Sequence, residues 1–126
     1  MTQKQKDLLL KDLCARLPYG VKVLYENEIF ELEYVCPMYE EVKLDNHETW
    51  TIGIDEVKPY LFPLSSMTEE QMKECLSTKH KIIKSSGKFM YLDSPNTINY
   101  YHKNHIDYRG LIPMDLAIDA TGLNIY

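Results

Sequence analysis

Two histidines near the end of the chain stand at a spacing that could bind a metal ion. His102 and His105 are three residues apart in a segment with helical character, so both rings would share one helix face, and Asp107 could add an oxygen donor. These donors do not complete a tetrahedral zinc site, and the spacing from Cys75 to His80 matches no zinc motif. Histidines at the surface or at the core edge are the simpler interpretation. We therefore expect no metal and no other cofactor.

The remaining candidates for catalysis fail on spacing. Residues 85–88 read Ser-Ser-Gly-Lys, like the end of a phosphate-binding loop. A Walker motif, however, requires glycine at the position of Ile82 and Ser or Thr at the position of Phe89. No serine stands in a nucleophile elbow. The sequence therefore favours a protein that is not an enzyme.

Tyrosine is the most unusual feature of the composition, with ten among 126 residues. A tyrosine ring supplies rigid contact area with a polar tip, which suits a protein interface, although many such rings complete the core of a small domain. Tyr100 and Tyr101, with His102 and His105, form the candidate interaction surface. The leading hypothesis is an accessory protein that acts through this surface on a protein partner or on a second copy of itself.

An alternative function is an enzyme or a nucleic-acid accessory factor whose site forms only in three dimensions. It would lie around His102 and His105 and the lysines from Lys73 to Lys88. The net charge of −5 argues against a dedicated nucleic-acid binder, because such affinity comes mainly from Lys and Arg that neutralise phosphates. Five lysines in residues 73–88 nevertheless form a local basic patch beside one acid, Glu74.

Length and composition predict a single domain over residues 1–126, because a chain of this size leaves no room for two cores. No stretch approaches the roughly 18 apolar residues of a membrane-spanning helix, and charged residues interrupt the first segment where an export signal would be apolar. Three widely spaced cysteines, at positions 14, 36 and 75, fit reduced thiols. We expect a cytoplasmic protein without a membrane partner.

The residue pattern predicts an α+β fold that begins with a helix and an antiparallel meander. Apolar residues recur at helical spacing over residues 4–17, before Pro18 and Gly20 end the helix. Residues 20–54 then alternate with the period of strands and form four of them. The helix should pack on one face of this meander and bury four side chains of different elements, namely Leu13, Val23, Leu32 and Trp50.

The second half of the chain should add two helices, a hairpin and a docked tail. We expect an apolar loop over residues 55–66, then a helix over 68–77 that begins with a capping box and buries Met72, Cys75 and Leu76. A hairpin follows at 81–93, and Ser94 caps a helix that extends to about residue 105. The tail docks and adds an edge strand near residues 117–120. Residues 105–112 should be a structural clasp that reverses the chain at Gly110.

Three segments of the sequence resemble a known protein family. This resemblance is more specific than the match of any candidate chemical site to a known motif. They are LLLKDLCARLPYGV (residues 8–21), VKPYLFPLSSMTEE (57–70) and HIDYRGLI (105–112). The chain resembles a widespread family of small uncharacterised proteins encoded in prophages and mobile elements of gut-dwelling anaerobic bacteria. Residues 95–101 depart from the Trp-Leu-Asn type start that this helix often has in the family. The resemblance implies a role in a phage-like element and brings no catalytic residue with it.

Overall fold

The described part of the chain, residues 1–49 and 51–126 of a computed structural model, alternates helices with short strands in an α+β arrangement. Trp50, expected in the core, lies outside these residues. None of the described helices has the length and apolar character needed to cross a membrane. The elements in chain order are α1 (Gln3–Arg16), β1 (Lys22–Tyr25), β2 (Glu28–Cys36), β3 (Glu41–Leu44), β4 (Ile52–Gly53), β5 (Lys58–Pro63), α2 (Glu69–Thr78), β6 (His80–Ile83), β7 (Phe89–Leu92), α3 (Pro95–Lys103), β8 (Ile106–Asp107) and β9 (Ile118–Asp119).

Helix α1 forms because its ends are satisfied locally and one of its faces is apolar. Thr2 and Gln5 make a reciprocal capping box at the start. Leu9 and Leu13 are buried against the sheet, whereas a short 3-10 turn and Gly20, with φ +70°, end the helical segment. The predicted N-terminal helix is confirmed.

The predicted four-stranded antiparallel meander is confirmed as well, with β1 to β4 lying side by side in chain order. Glu26 and Asn27 both adopt positive φ between β1 and β2, which matches the twist of a tight two-residue turn. Val23 and Leu32 are buried together with Leu13 of α1, as predicted. The largest core cluster therefore lies between α1 and the meander.

The prediction of an apolar loop over residues 55–66 is wrong, because β5 occupies residues 58–63 and pairs antiparallel with β1. Pro59 and Pro63 stand at the two ends of this strand, where a missing N–H costs least, and the apolar run between them extends. Strands β8 and β9 pair parallel with β5. Parallel pairing requires long crossovers, so neighbours more than forty residues away in sequence stabilise this strand.

The two later helices begin at the predicted caps but end or pack differently. Thr68 with Gln71 caps α2, and Ser94 caps α3 with Pro95 at its first position. Helix α3 ends at Lys103 because His105 takes a positive φ of 58°. On α2 only Cys75 of the predicted buried face is in the core; the side chains of Met72 and Leu76 are exposed.

The tail docks as predicted. Leu111 and Leu116 are buried in the main core cluster, and β9 lies within the predicted edge segment of residues 117–120. The predicted hairpin of residues 81–93 is also confirmed, since β6 and β7 pair antiparallel as a separate two-stranded sheet.

Candidate functional site

A charged cluster is buried between α1 and the segment that follows α3. Asp12 and Arg16 lie one helical turn apart, both fully buried, with Arg16 Nε donating to Asp12 Oδ2 at 2.8 Å. The same guanidinium donates to the backbone oxygens of Tyr101 at 3.4 Å and Ile106 at 2.6 Å. Arg109 Nε donates to the other carboxylate oxygen of Asp12 at 2.9 Å. Through these hydrogen bonds the cluster connects helix α1 to the segment that follows α3.

His102 lies beside this cluster and is hydrogen-bonded to a phenol. Its Nε2 lies 2.7 Å from the hydroxyl oxygen of Tyr108, whose ring stacks on Tyr101 with centroids 5.1 Å apart. Burial and the nearby positive charge of Arg16 lower the pKa of His102, and burial raises the pKa of Tyr108. The pair is therefore held neutral near pH 7.

His105 faces a different neighbour. Its ring stacks on Tyr126 with centroids 3.7 Å apart, and its buried Nδ1 has no hydrogen-bond partner among the described atoms. Burial and the positive charges of Arg16 and Lys22 lower the pKa of His105 to about 4. The ring borders a surface cavity of about 400 Å³ whose other lining residues include Phe62, Gln71, Asn104 and Thr121.

The structure does not bring the four predicted surface residues together at the surface. Tyr101, His102 and His105 are buried, and Tyr100 is half-buried with its hydroxyl donating to Glu74 Oε2 at 3.0 Å. The two histidines bond or stack with separate partners. Among residues 1–49 and 51–126, no group of three or more His, Cys, Asp or Glu side chains is arranged to hold a metal ion.

The segment predicted to be a structural clasp is built as one. Both carboxylate oxygens of Asp107 accept backbone N–H groups, from Leu111 and Ile112 at 2.9 Å each. Gly110 adopts a φ of +76°, which reverses the chain at the predicted residue. The carboxylate therefore stabilises the turn that returns the tail to the core.

The β6–β7 hairpin has an unusual surface. Its turn is tight, with Lys84 N donating to Lys88 O at 2.8 Å and Gly87 at a φ of +82°. Every residue from His80 to Asp93 is exposed. Six large apolar side chains of the two strands are 37–68% exposed to solvent: Ile82, Ile83, Phe89, Met90, Tyr91 and Leu92.

Apolar side chains cover both faces of this hairpin, because residues paired directly across two strands point to the same side. Three lie on each face. One face carries Ile82, Met90 and Leu92, and the other carries Ile83, Phe89 and Tyr91. A strand pair that packed one face on its own core would bury one of these sets. This hairpin buries neither.

The base of the hairpin is fixed to the two flanking helices. Ser94 Oγ donates to the backbone oxygen of Thr78 at 2.6 Å, and Thr78 Oγ1 donates to Thr97 Oγ1 at 2.9 Å. Lys79 Nζ lies 3.1 Å from Asp93 Oδ1, just before the first pair of the ladder, His80 and Leu92. The hairpin therefore projects from a bonded base.

Three lysines of the hairpin lack a compensating acid. In the described part of the chain, Lys81, Lys84 and Lys88 have no carboxylate within 4.0 Å. Lys81 Nζ instead lies 3.9 Å above the ring centre of Phe89. Residues 79–93 hold four lysines and one aspartate, a net charge of +3, which leaves −8 on the rest of the chain.

Comparison with known proteins adds nothing to this description, since no protein-family model, curated protein or solved structure matches the chain.

The sequence predicted the position of the hairpin but not its exposure to solvent. A signal was present: Phe89-Met90-Tyr91-Leu92 lacks the polar residue at every second position that a half-buried strand has, and lysines surround it. An uninterrupted apolar strand is expected to be buried on both faces, and here no described element covers either.

Proposed function

We propose that this chain is a non-enzymatic interaction protein that binds a protein partner through the β6–β7 hairpin. The observation that carries the proposal is the exposure of six apolar side chains on both faces of that hairpin. A two-stranded hairpin is marginally stable in water, and a contiguous exposed apolar patch marks an interaction site. Two apolar faces fit a cleft of a partner that contacts both.

Burial of these side chains would supply part of the free energy of binding. Fully burying an Ile, Leu or Phe side chain contributes about 1.5–3 kcal/mol, so the remaining exposed half of each of these side chains contributes on the order of 1 kcal/mol. The bonded base at Thr78, Ser94 and Thr97 reduces the ordering cost of association. Aromatic and large aliphatic side chains on a fixed scaffold are typical anchors of an interface.

Charge favours a different protein over a second copy. Symmetric pairing of two hairpins would place two sets of three unpaired lysines in one interface, which disfavours that dimer. Pairing of the hairpin with the acidic remainder of another copy would be a head-to-tail contact, which extends into open-ended assemblies unless it closes. A partner whose apolar cleft has an acidic rim would match both the apolar faces and the lysines of the hairpin.

The alternative site around His102 and His105 has less support. Both rings are buried with separate neighbours, so they offer no shared position for a substrate. Three unpaired lysines on an apolar ribbon are also few for nucleic acid, whose binding proteins commonly neutralise about 6–10 phosphates. The resemblance of residues 8–21, 57–70 and 105–112 supports a phage-like or mobile element as the setting of the interaction.

The test compares two doubly substituted full-length chains with the parent. Ile83→Ser with Phe89→Ser removes two of the three apolar side chains from one face of the hairpin, and Ile29→Ser with Met38→Ser removes two exposed apolar residues elsewhere. Proteins captured from an extract of the native host by the parent are identified, purified and titrated against all three chains. We expect one of them to bind the hairpin variant at least about tenfold more weakly and the control variant unchanged.

Equal binding of every purified captured protein by the three chains would contradict the proposal. Sedimentation of the parent alone provides the second discriminating measurement. A parent dimer that the hairpin variant cannot form would make a second copy the occupant of the surface.

A further inference from the structure

The free edge of β6 suggests what part of a partner reaches the hairpin. Resting on the proposed function, we propose that the partner contributes an acidic, extended segment that adds to β6 as a third strand. Its sequence would carry an acid, two apolar residues and a second acid in succession. The proposal follows from the hydrogen-bond pattern, the side chains along the edge and their charge.

The hydrogen-bond pattern shows which backbone groups are free. Lys84 N donates to Lys88 O, so these residues form a hydrogen-bonded pair, and such pairs alternate along an antiparallel ladder. The pairs Ile82–Met90 and His80–Leu92 then point their backbone groups inward. The N–H and C=O groups of Lys81 and Ile83 consequently point outward along β6, where no further described strand pairs with them.

The side chains select which strand can pair there. An added strand in register would place residues opposite Lys81, Ile82, Ile83 and Lys84 in succession. Opposite charges across a strand pair stabilise it, and apolar pairs do the same for the two isoleucines. Because the order is lysine, apolar, apolar, lysine, the complementary order reads the same for parallel and antiparallel addition.

Lysines on an exposed edge also exclude unwanted pairing. Edge lysines are a common protection against indiscriminate strand addition. A neutral strand would bury their charges without a partner, and a basic strand would be repelled by them. An acidic strand would instead form ion pairs with these lysines, so the same residues that exclude other strands would select it. The β7 edge bears Phe89, Met90, Tyr91 and Leu92 between one lysine, Lys88, and one acid, Asp93, so it lacks a lysine at each end. Lys81 and Lys84 therefore assign the specific contact to β6.

A peptide titration tests the strand directly. The probe is a blocked peptide of about eight residues with a Glu-Val-Val-Glu core, and its comparison is the same peptide with Lys-Val-Val-Lys. In NMR titrations of the labelled full chain, we expect saturable binding of the acidic peptide and slower amide exchange at Lys81 and Ile83. The basic peptide should bind about tenfold more weakly.

Charge reversal supplies the matched variants. Lys81→Glu with Lys84→Glu should reverse the preference and favour the basic peptide, whereas Lys73→Glu with Lys103→Glu, exposed lysines outside the hairpin, should leave it unchanged. Equal binding of both peptides, or exchange slowed at Phe89 and Tyr91 instead, would overturn the assignment to β6. So would the absence of saturable binding.

The two proposals fail separately. If the peptides do not bind but a purified partner still requires Ile83 and Phe89, the strand addition is wrong and the interaction hairpin stands. If the acidic peptide binds at β6 while no purified protein distinguishes the hairpin variant from the control, the protein-partner function is wrong.

Discussion

At the scale of single residues, Asp12 is the acid on which two arginines depend. Its two carboxylate oxygens accept from Arg16 and Arg109, and the two Nη atoms of Arg16 donate to backbone oxygens of Tyr101 and Ile106. A buried guanidinium is tolerable only when it is paired and hydrogen-bonded. The carboxylate of Asp12 is therefore a structural group of the core.

Asp12→Asn should lower the free energy of unfolding by about 3–5 kcal/mol, because it leaves a buried guanidinium without its counter-charge. Urea unfolding monitored by circular dichroism measures this change. The control is Asp115→Asn, which removes the exposed ion pair with Lys58 at 2.8 Å. That change should cost less than about 1 kcal/mol. Similar losses in both variants would refute a special role for Asp12.

His105 should make stability depend on pH. Its pKa in the folded protein is about 4, below the ordinary value of 6.5, so the unfolded chain binds this proton more readily between those values. Stability should therefore be complete above pH 6.5 and fall as the pH decreases toward 4. The slope from one such proton is at most about 1.4 kcal/mol per pH unit.

His105→Asn isolates this contribution, because asparagine tolerates the positive φ of 58° and does not titrate in this range. Thermal unfolding of both chains from pH 4 to pH 7 should show a shallower slope for the variant, with the lowered pKa of His102 leaving a residual slope. Parallel curves would show that His105 carries no proton difference. Burial against the stacked Tyr126, together with the positive charges of Arg16 and Lys22, lowers the pKa of His105 and keeps its ring neutral.

At the scale of elements, sequence signals succeeded where the cause of the element is local. The capping box at Thr68, and Ser94 followed by Pro95, fix where α2 and α3 begin. Alternation fixes the strands of the meander. Strand β5 was missed because its partners are β1 and residues 106–107 and 118–119, all distant in sequence, and no local pattern reports pairing over those distances.

Leu13 tests the packing of α1 on the meander. Its side chain is fully buried in the main cluster, so Leu13→Ala should cost about 2–5 kcal/mol in the free energy of unfolding. Leu123→Ala, at a half-exposed leucine, is the control and should change stability by less than about 0.5 kcal/mol. A loss below about 1 kcal/mol at Leu13 would mean that α1 does not contribute to the core.

At the scale of the whole molecule, the candidate site was only partly predictable. The sequence located the hairpin through its turn and strands, but the helix before it was expected to bury Met72 and Leu76, which are exposed. The candidate interaction surface of Tyr100, Tyr101, His102 and His105 is mostly buried. Exposure depends on what packs against a segment in three dimensions. The sequence of an apolar strand does not show whether another element will cover it.

Because the hairpin makes its ladder without tertiary cover, it should open independently of the rest. Amides of Ile82 and Met90, which face inward in the ladder, should exchange at least about 100-fold faster than the amide of Leu32, which donates to Val21 O at 3.0 Å. Hydrogen exchange followed by NMR measures both. Equally slow exchange would show that the hairpin belongs to the cooperative core.

The bonds of Arg16 set the timing of folding during synthesis. The two carbonyls that it binds lie 85 and 90 residues later in the chain, so at about 5–20 residues per second the ribosome delivers them on the order of ten seconds after Arg16 itself. During that interval Asp12 is the only one of its final partners that has already been synthesised, and the apolar face of α1 lacks the cover that Leu111 and Leu116 provide. The first helix to be made is thus among the last to be completely covered, and Arg16 gains its full set of hydrogen-bond partners only after Ile106 has been made.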